Sequence, residues 1–448
     1  MILDLDELEG LSKKILGFSK SEWAEVSVES NHEANLRFAA NTVSTSGASE
    51  NTSATITAVN GKRAGTVSTN DLSDDGLRRA MARAEEIASL APENEELMAP
   101  LTAKQNYLRS SAFDARSTDY DWTAEERSKI AQAAIREATA HSFETAGFLE
   151  SGVYNNAYRN SKGLFVADQH TRNTFSLTMR TADGKSSGWN KRASHSMGQL
   201  DSQMAILRAS EKCTAWQDAK DIDPGVYKVI LEPSAAADLL QQFVWSLDAR
   251  PAEEGRSAFS RPNGTTALGQ TIVNEKVHLY SDPSHPLVPS GIYGESGLAV
   301  HPTDWIKDGK LMNLTRDRFW ANKTGKDPMP GPTNLIMDGG GMLPEDFLTT
   351  VKEGLLVTSF WYIRDLDDPT LLKTGLTRDG LFWVEDGKIL YGITNFRWNE
   401  SPLTMLQNVM DFSKPVVTAP RDGWDGMPMC VPMLYVSGFN FASQSDAV

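Results

Sequence analysis

The sequence predicts an α+β protein of two domains: an N-terminal α/β domain (1–222) with two helices on a curved sheet, and a C-terminal β-rich, antiparallel, barrel-like domain (223–448). Three observations lead there. At 448 residues the chain exceeds what one ordinary core organises. Its first part sets helical patterns between strand patterns. Its last 200 or so residues return repeatedly to short apolar runs bounded by turn signals, a β-dominated rhythm.

In "NTSATITAVNGKRAGTVS", Asn60-Gly61 separates two runs of small and β-branched residues, the pattern of a two-residue hairpin with both turn residues at positive φ. In "SDDGLRRAMARAEEIASL", Leu77, Ala80, Met81, Ala84, Ile87 and Ala88 recur at helical spacing. Thr123, with Glu126 three residues on, forms a capping box ahead of Ile130, Ala133, Ala134 and Ala138. From 145 to about 230 the pattern is mostly strand-like, with turns at Asp183-Gly184 and Pro224-Gly225.

"GVYKVILEP" then reads as a buried strand feeding a helix, "LEPSAAADLLQQFVWSLDARP" (231–251). Pro233 suits the first turn, where its missing N–H has no partner, and Ala236, Leu239, Leu240, Phe243, Val244 and Leu247 form an apolar side. Beyond it, Asp308-Gly309-Lys310 and Asp386-Gly387-Lys388 read as tight turns between strands. "TGKDPMPGPTNLIMDGGG" is the main irregular stretch. Gly339, Gly340 and Gly341 ahead of a helical "LPEDFLTTV" suggest a phosphate cradle, but no Lys-Ser/Thr follows and Asp338 and Glu345 would repel an anion, so a loop is the better reading.

Composition excludes several function classes. Lys and Arg total 44 against 59 Asp and Glu, a net −15 that repels nucleic-acid backbones and anionic lipid. Cys213 and Cys430 stand far apart and offer neither a disulfide framework nor a metal clip, which fits a reducing cytoplasm. The N-terminus lacks a signal-type apolar run, and no stretch approaches the roughly 18 apolar residues of a membrane span. A soluble cytoplasmic protein is expected.

Candidate chemistry is sparse. His278, His285 and His301 cluster in sequence with Asp282, Glu295 and Asp304 interleaved, which makes a metal site conceivable. Their spacing matches no rigid ligand pair, and "SDPSHPLVPS" reads as a Pro-rich surface loop. No G-x-S-x-G elbow occurs. Cys213 ends a helix-like stretch with no histidine near it in sequence, and Cys430 reads as a packed strand residue. No self-sufficient catalytic site emerges from the residues themselves.

The run from "GRSAFSRPNGTTALGQ" through "HPTDWIKDGKLMNL", then "PTNLIMDGG", "KEGLLVTSFW", "GLFWVEDGKILYGI" and "FNFASQSDAV", closely resembles the TldD/PmbA, or modulator-of-gyrase, family; "NLRFAANTVSTS" resembles its opening domain. The likeness covers nearly the whole chain in order. Catalytic, TldD-type members are zinc peptidases with HExxxH on the helix after the "VILEP"-like strand and a later cysteine as third ligand. The resemblance lays Gln241 on the first histidine, Gln242 on the glutamate and Ser246 on the second histidine. The cysteine motif falls near "VVTAPRDGWDG", which has no cysteine, and Cys430 comes about a dozen residues late.

Carboxamide and hydroxyl groups are weak zinc donors, and Gln242 cannot accept a proton from a metal-bound water. The resemblance therefore implies no catalytic residue and no cofactor in this chain, zinc residing instead in an HExxxH-bearing TldD-like partner. It implies a PmbA/TldE-type subunit of a heterodimeric metallopeptidase acting on unfolded or leader peptides, with the amides of Gln241 and Gln242 available to an extended peptide backbone. Two alternatives stand beside it: a self-sufficient metallopeptidase using the His278–His301 cluster, and a peptide-binding regulatory homodimer.

Overall fold

A computed structural model describes residues 2–102, 105–108, 123–422 and 426–445. Residues 423–425 of "VVTAPRDGWDG" and the last three of "FNFASQSDAV" lie outside the described residues.

Six antiparallel strands build the N-terminal sheet: β1 (Trp23–Ala39), β2 (Thr42–Asn60), β3 (Arg63–Thr69), β4 (Phe143–Asn160), β5 (Phe165–Thr181) and β6 (Ser187–Ser194), in the order β3-β2-β1-β4-β5-β6. Alternation drives them: in β1 the buried Ala24, Val26 and Val28 sit two residues apart, and Ala54, Ile56 and Ala58 answer from β2. The β2–β3 hairpin forms where the sequence places it, with one correction. Asn60 pairs with Arg63, so the turn residues are Gly61 and Lys62, and of these only Gly61 takes positive φ (62°).

Among the described residues four α-helices accompany the sheet: α1 (Leu5–Leu16), α2 (Asp74–Leu90), α3 (Ala124–Ala140) and α4 (Ser202–Ala215). The sequence patterns single out α2 and α3. Thr123 caps α3 by accepting from the Glu126 N–H. The other two helices are harder to read. Helix α1 opens with a capping box between Asp4 and Glu7 but buries only Leu8, Ser12 and Ile15. Helix α4 buries mainly small residues, Ala205, Ala209, Ser210 and Cys213 beside Ile206, so its apolar stripe is faint.

Among the described residues the C-terminal half holds two large sheets and a small two-stranded one, Ser260–Arg261 with Thr265–Thr266. In the nine-stranded one, β7 (Gly225–Leu231) lies at the centre, parallel to Glu353–Val357 and antiparallel to Leu434–Gln444. A six-stranded sheet runs from Lys310–Leu311 through Thr303–Lys307, Leu279–Ser281, Leu335–Met337 and Met429–Val431 to Val416–Thr418. Asp308-Gly309 and Asp386-Gly387 each turn with both residues at positive φ, the geometry that matches strand twist. The triple glycine has a packing reason. A Cβ on Gly339 would lie 2.3 Å from the Ser413 carbonyl and one on Gly340 2.5 Å from that of Phe412, and the helix that follows is short, Pro344–Leu348.

Helix α5 (Pro233–Trp245) shares one apolar core with both C-terminal sheets. Leu239, Leu240 and Phe243 belong to the same cluster as Leu279, Trp305 and Met429 on one side and Leu355, Phe360 and Trp398 on the other. Phe439 is fully buried at the aromatic centre of the large sheet, its ring centroid 5.4 Å from Phe360, 5.7 Å from Trp398 and 5.3 Å from Phe441. Phe439→Ala should cost about 3–5 kcal/mol, since neighbouring rings cannot collapse into the cavity. Urea unfolding of the two proteins at one pH measures the difference.

Candidate functional site

The candidate site is built around α5. Pro233 opens the helix at its first position, as its fixed φ favours, and Ser234 to Leu240 are all buried. The helix is shorter than the sequence suggests: it stops at Trp245, which is 55% exposed, and Ser246 is the residue that ends it. The Ser246 hydroxyl donates to the Phe243 carbonyl at 2.6 Å, and its N–H bonds the same oxygen at 3.0 Å. Gln241 is fully buried and Gln242 half-buried on the preceding turn. The structure thus holds Gln241 and Gln242 on the helix and Ser246 at its cap, with the hydroxyl already committed to a backbone carbonyl.

One turn earlier lies a residue that the sequence reading passes over. Asp238, 1% exposed, accepts three backbone N–H bonds: from Phe360 at 2.9 Å, Arg421 at 2.7 Å and Asp422 at 3.0 Å. Asp422 in turn accepts from the Ile363 N–H at 2.6 Å. The Arg421-Asp422 turn is therefore fastened both to α5 and to the strand Phe360–Asp367. Burial pushes the Asp238 carboxyl up to about 7, against the three N–H donors and the Arg421 charge, which pull it down.

Fastening that turn fixes Arg421. Its guanidinium lies 4.8 Å from the ring centroid of Trp189 on β6 and 5.7 Å from that of Trp361. It donates to the Ser359 hydroxyl at 3.1 Å and pairs with the fully buried Asp379. Arg180 of β5 reaches the same carboxylate at 3.4 Å. Burial alone would raise the Asp379 pKa, but the Arg421 and Arg180 charges prevail and hold it below the usual range. This cluster joins the N-terminal sheet to the C-terminal half. The signal for it in sequence is a single acid inside the apolar run Ala235–Leu240; its partners lie more than a hundred residues away.

The histidines do not assemble. His278 is held between Asp338, 2.7 Å from Nδ1, and Asp304, 3.0 Å from Nε2. Burial lowers its pKa, but the hydrogen bonds and charges of the two carboxylates outweigh this and the net direction is up. His285 accepts through Nδ1 from the Leu287 N–H at 3.4 Å, and His301 is exposed. Among the described residues no three His, Cys, Asp or Glu side chains are grouped to hold a metal ion, so the His278–His285–His301 alternative has no geometry behind it. Cys213 and Cys430 are buried, and burial pushes each thiol up to about 11, far from a reactive thiolate.

Around α5, too, the donor set does not fit zinc. Gln241 and Gln242 offer neutral amides, the Ser246 hydroxyl is a committed donor, both Asp238 oxygens accept backbone N–H bonds, and Arg421 brings a fixed positive charge to the neighbouring turn.

Comparison with known proteins places this architecture. The chain matches the PmbA/TldA metallopeptidase domain 1 over residues 24–88, the central domain over 100–212 and the C-terminal domain over 224–443. It has the fold of a metallopeptidase-related family. The chain belongs to the PmbA/TldD family. No curated protein matches it significantly. Among solved structures, TldE from Thermococcus kodakarensis superposes with a TM-score of 0.84 at 17% identity, over 97% of this chain and 99% of that one. A candidate modulator of a DNA gyrase from Thermotoga maritima gives 0.81 at 17%, over 97% and 100%. Another from Bacteroides thetaiotaomicron gives 0.82 at 16%, over 98% and 100%. The likeness confirms the α+β fold with its curled C-terminal sheets.

Because the fold favours protonated Asp238, its contribution to stability is full below about pH 4, declines as pH rises through about 7, and then levels off. Asp238→Asn cannot titrate and gives up one backbone acceptor, so it should be less stable than the parent by roughly 1–3 kcal/mol at pH 4. The gap should narrow or reverse by pH 8, at about 1.4 kcal/mol per unit of pKa shift. Urea unfolding from pH 4 to 8 measures it; a constant gap would show that the group does not titrate in this range.

Proposed function

We propose that this chain is a non-catalytic, TldE-type subunit of a heterodimeric zinc metallopeptidase, and that it acts in the cytoplasm with an HExxxH-bearing TldD-like partner on unfolded or leader peptides. The observation that carries the reading is α5. By the resemblance in sequence it answers to the family's zinc helix, and it offers Gln241, Gln242 and a helix-capping Ser246, with Arg421 held beside it. Peptide hydrolysis of this type needs a polarised water and a proton acceptor, and these side chains supply neither. The chain's part is then to hold and confine an extended peptide while the partner supplies metal and base. Strand edges in the C-terminal half suit addition of such a peptide.

The purified chain should hold no stoichiometric zinc after desalting, as elemental analysis would read. About one tightly bound zinc per chain would reinstate a self-sufficient metallopeptidase.

Mixing this chain with the HExxxH-bearing homologue of the same genome should produce chelator-sensitive cleavage of an unstructured peptide that neither gives alone. Gln241→Ala with Gln242→Ala should change the rate of the mixture within about tenfold, since amide contacts to a peptide backbone contribute only ~1–1.5 kcal/mol. The reading fails if the homologue alone cleaves as fast as the mixture, or if the chains do not associate at micromolar concentration; a peptide-binding homodimer would then be the better account.

A further inference from the structure

A second feature of α5 lies at its other end. Beside Pro233 and Ser234 a cavity of about 360 Å³ opens between β6, α4 and the segment Leu343–Leu348. One wall is apolar and partly exposed: Leu343 is 49% and Ile389 37% accessible, backed by Pro344, Leu348 and the buried Met433.

The opposite wall is cationic, and its charges are not equally satisfied. Lys212 is buried and pairs with Glu232 at 2.7 Å while also donating to the Trp189 carbonyl. Arg208 pairs with Glu211 at 2.8 Å and Glu345 at 3.3 Å. Lys191 donates to the Pro420 carbonyl at 3.1 Å. Arg192, on the same wall, has no ion pair or side-chain hydrogen bond among the described residues, and its Nε is buried without an acceptor. A guanidinium is a planar fork suited to a carboxylate, and a buried N–H without a partner is costly to keep. A guanidinium with a buried N–H left without an acceptor, facing one apolar wall, matches a ligand with one carboxylate beside one apolar group.

We propose that this cavity binds the C-terminal end of a peptide, with Arg192 taking the terminal α-carboxylate and Leu343, Leu348 and Ile389 taking an apolar last side chain. Choosing a peptide rests on the function proposed above; the site itself rests on the unpaired Arg192 and the apolar wall. Val416 and Thr418 also line the cavity, on the strand that leads into the Arg421 turn. A peptide seated here by its end would have its preceding residues close to that turn.

The test uses this chain alone, so its outcome is independent of whether a hetero-complex forms or cleaves. A fluorophore-labelled hexapeptide ending in leucine with a free carboxylate is titrated against the protein by fluorescence anisotropy, beside the same peptide as its C-terminal amide. The free acid should bind at least tenfold more tightly than the amide. Arg192→Ala should remove that preference and Arg192→Lys should restore part of it, with thermal melts confirming that each variant folds. Leu343→Ala, at a half-exposed position, should weaken the leucine-ended peptide several-fold and leave one ending in glycine unchanged. Equal binding of acid and amide, or an Arg192→Ala protein that still discriminates between them, would overturn the proposal. So would inorganic phosphate or acetate competing as well as the unlabelled peptide, which would mark a plain anion site.

Discussion

The structure around α5 depends on a desolvation problem and the way one carboxylate solves it. A helix enclosed by two sheets has no water for its polar side chains, so each must find a partner within the protein. Asp238 does so by taking backbone N–H groups from two segments that are not its sequence neighbours. The carboxylate ties the start of the Phe360–Asp367 strand and the Arg421-Asp422 turn to one point on the helix. The position of Arg421 follows from that attachment. Its contacts with Trp189 of β6 and with Asp379, which Arg180 of β5 also reaches, then carry the constraint across to the N-terminal sheet.

This chain of contacts gives the region a settled electrostatic character. A zinc peptidase gathers neutral imidazoles and anionic ligands around an empty coordination space. Here the acids near the helix are already spent, Asp238 on backbone N–H groups and Asp379 on guanidinium groups, and a permanent cation lies between two indoles. The arrangement is internally complete: its main charges have partners that do not include a metal.

What could be read from the sequence was what is local. The Asp-Gly turns at 308 and 386 were legible because positive φ at two successive positions restricts the residues that fit. Helix α2 was legible because Leu77, Met81 and Ala84 repeat at helical spacing on a long segment, and Pro233 because it can only begin a helix. Helices α1 and α4 bury few or small residues, which leaves little periodic signal. Gly339 and Gly340 read as a loop rather than an anion cradle, but the reason they are glycine is that the Ser413 and Phe412 carbonyls run against them, a contact no local pattern encodes. Within the site, the degenerate positions 241, 242 and 246 came from family likeness. Asp238 was visible only as an acid in an apolar run, and its partners at 360, 421 and 422 are joined to it by the fold alone.

The end of α5 adds a backbone argument to the side-chain one. Positions 241 and 246 are five residues apart, which on a regular helix leaves them ~140° apart around the axis, so ligands at both need a helix that bends or continues to bring them together. In this chain the last turn closes early: the Ser246 N–H and hydroxyl both satisfy the Phe243 carbonyl, and the backbone leaves through Leu247 to pair with Thr315. The C-terminal end of the helix is therefore shaped by its cap, while its N-terminal end faces a cavity with an unpaired guanidinium. A single helix that is dry in the middle, closed at one end and open at the other is better suited to positioning a bound chain than to activating water. Exchanging Gln241, Gln242 and Ser246 would remove the Ser246 hydroxyl bond but leave its backbone N–H bond to the Phe243 carbonyl and the Asp238-held turn in place, so the shape of this region belongs to its backbone as well as its residues.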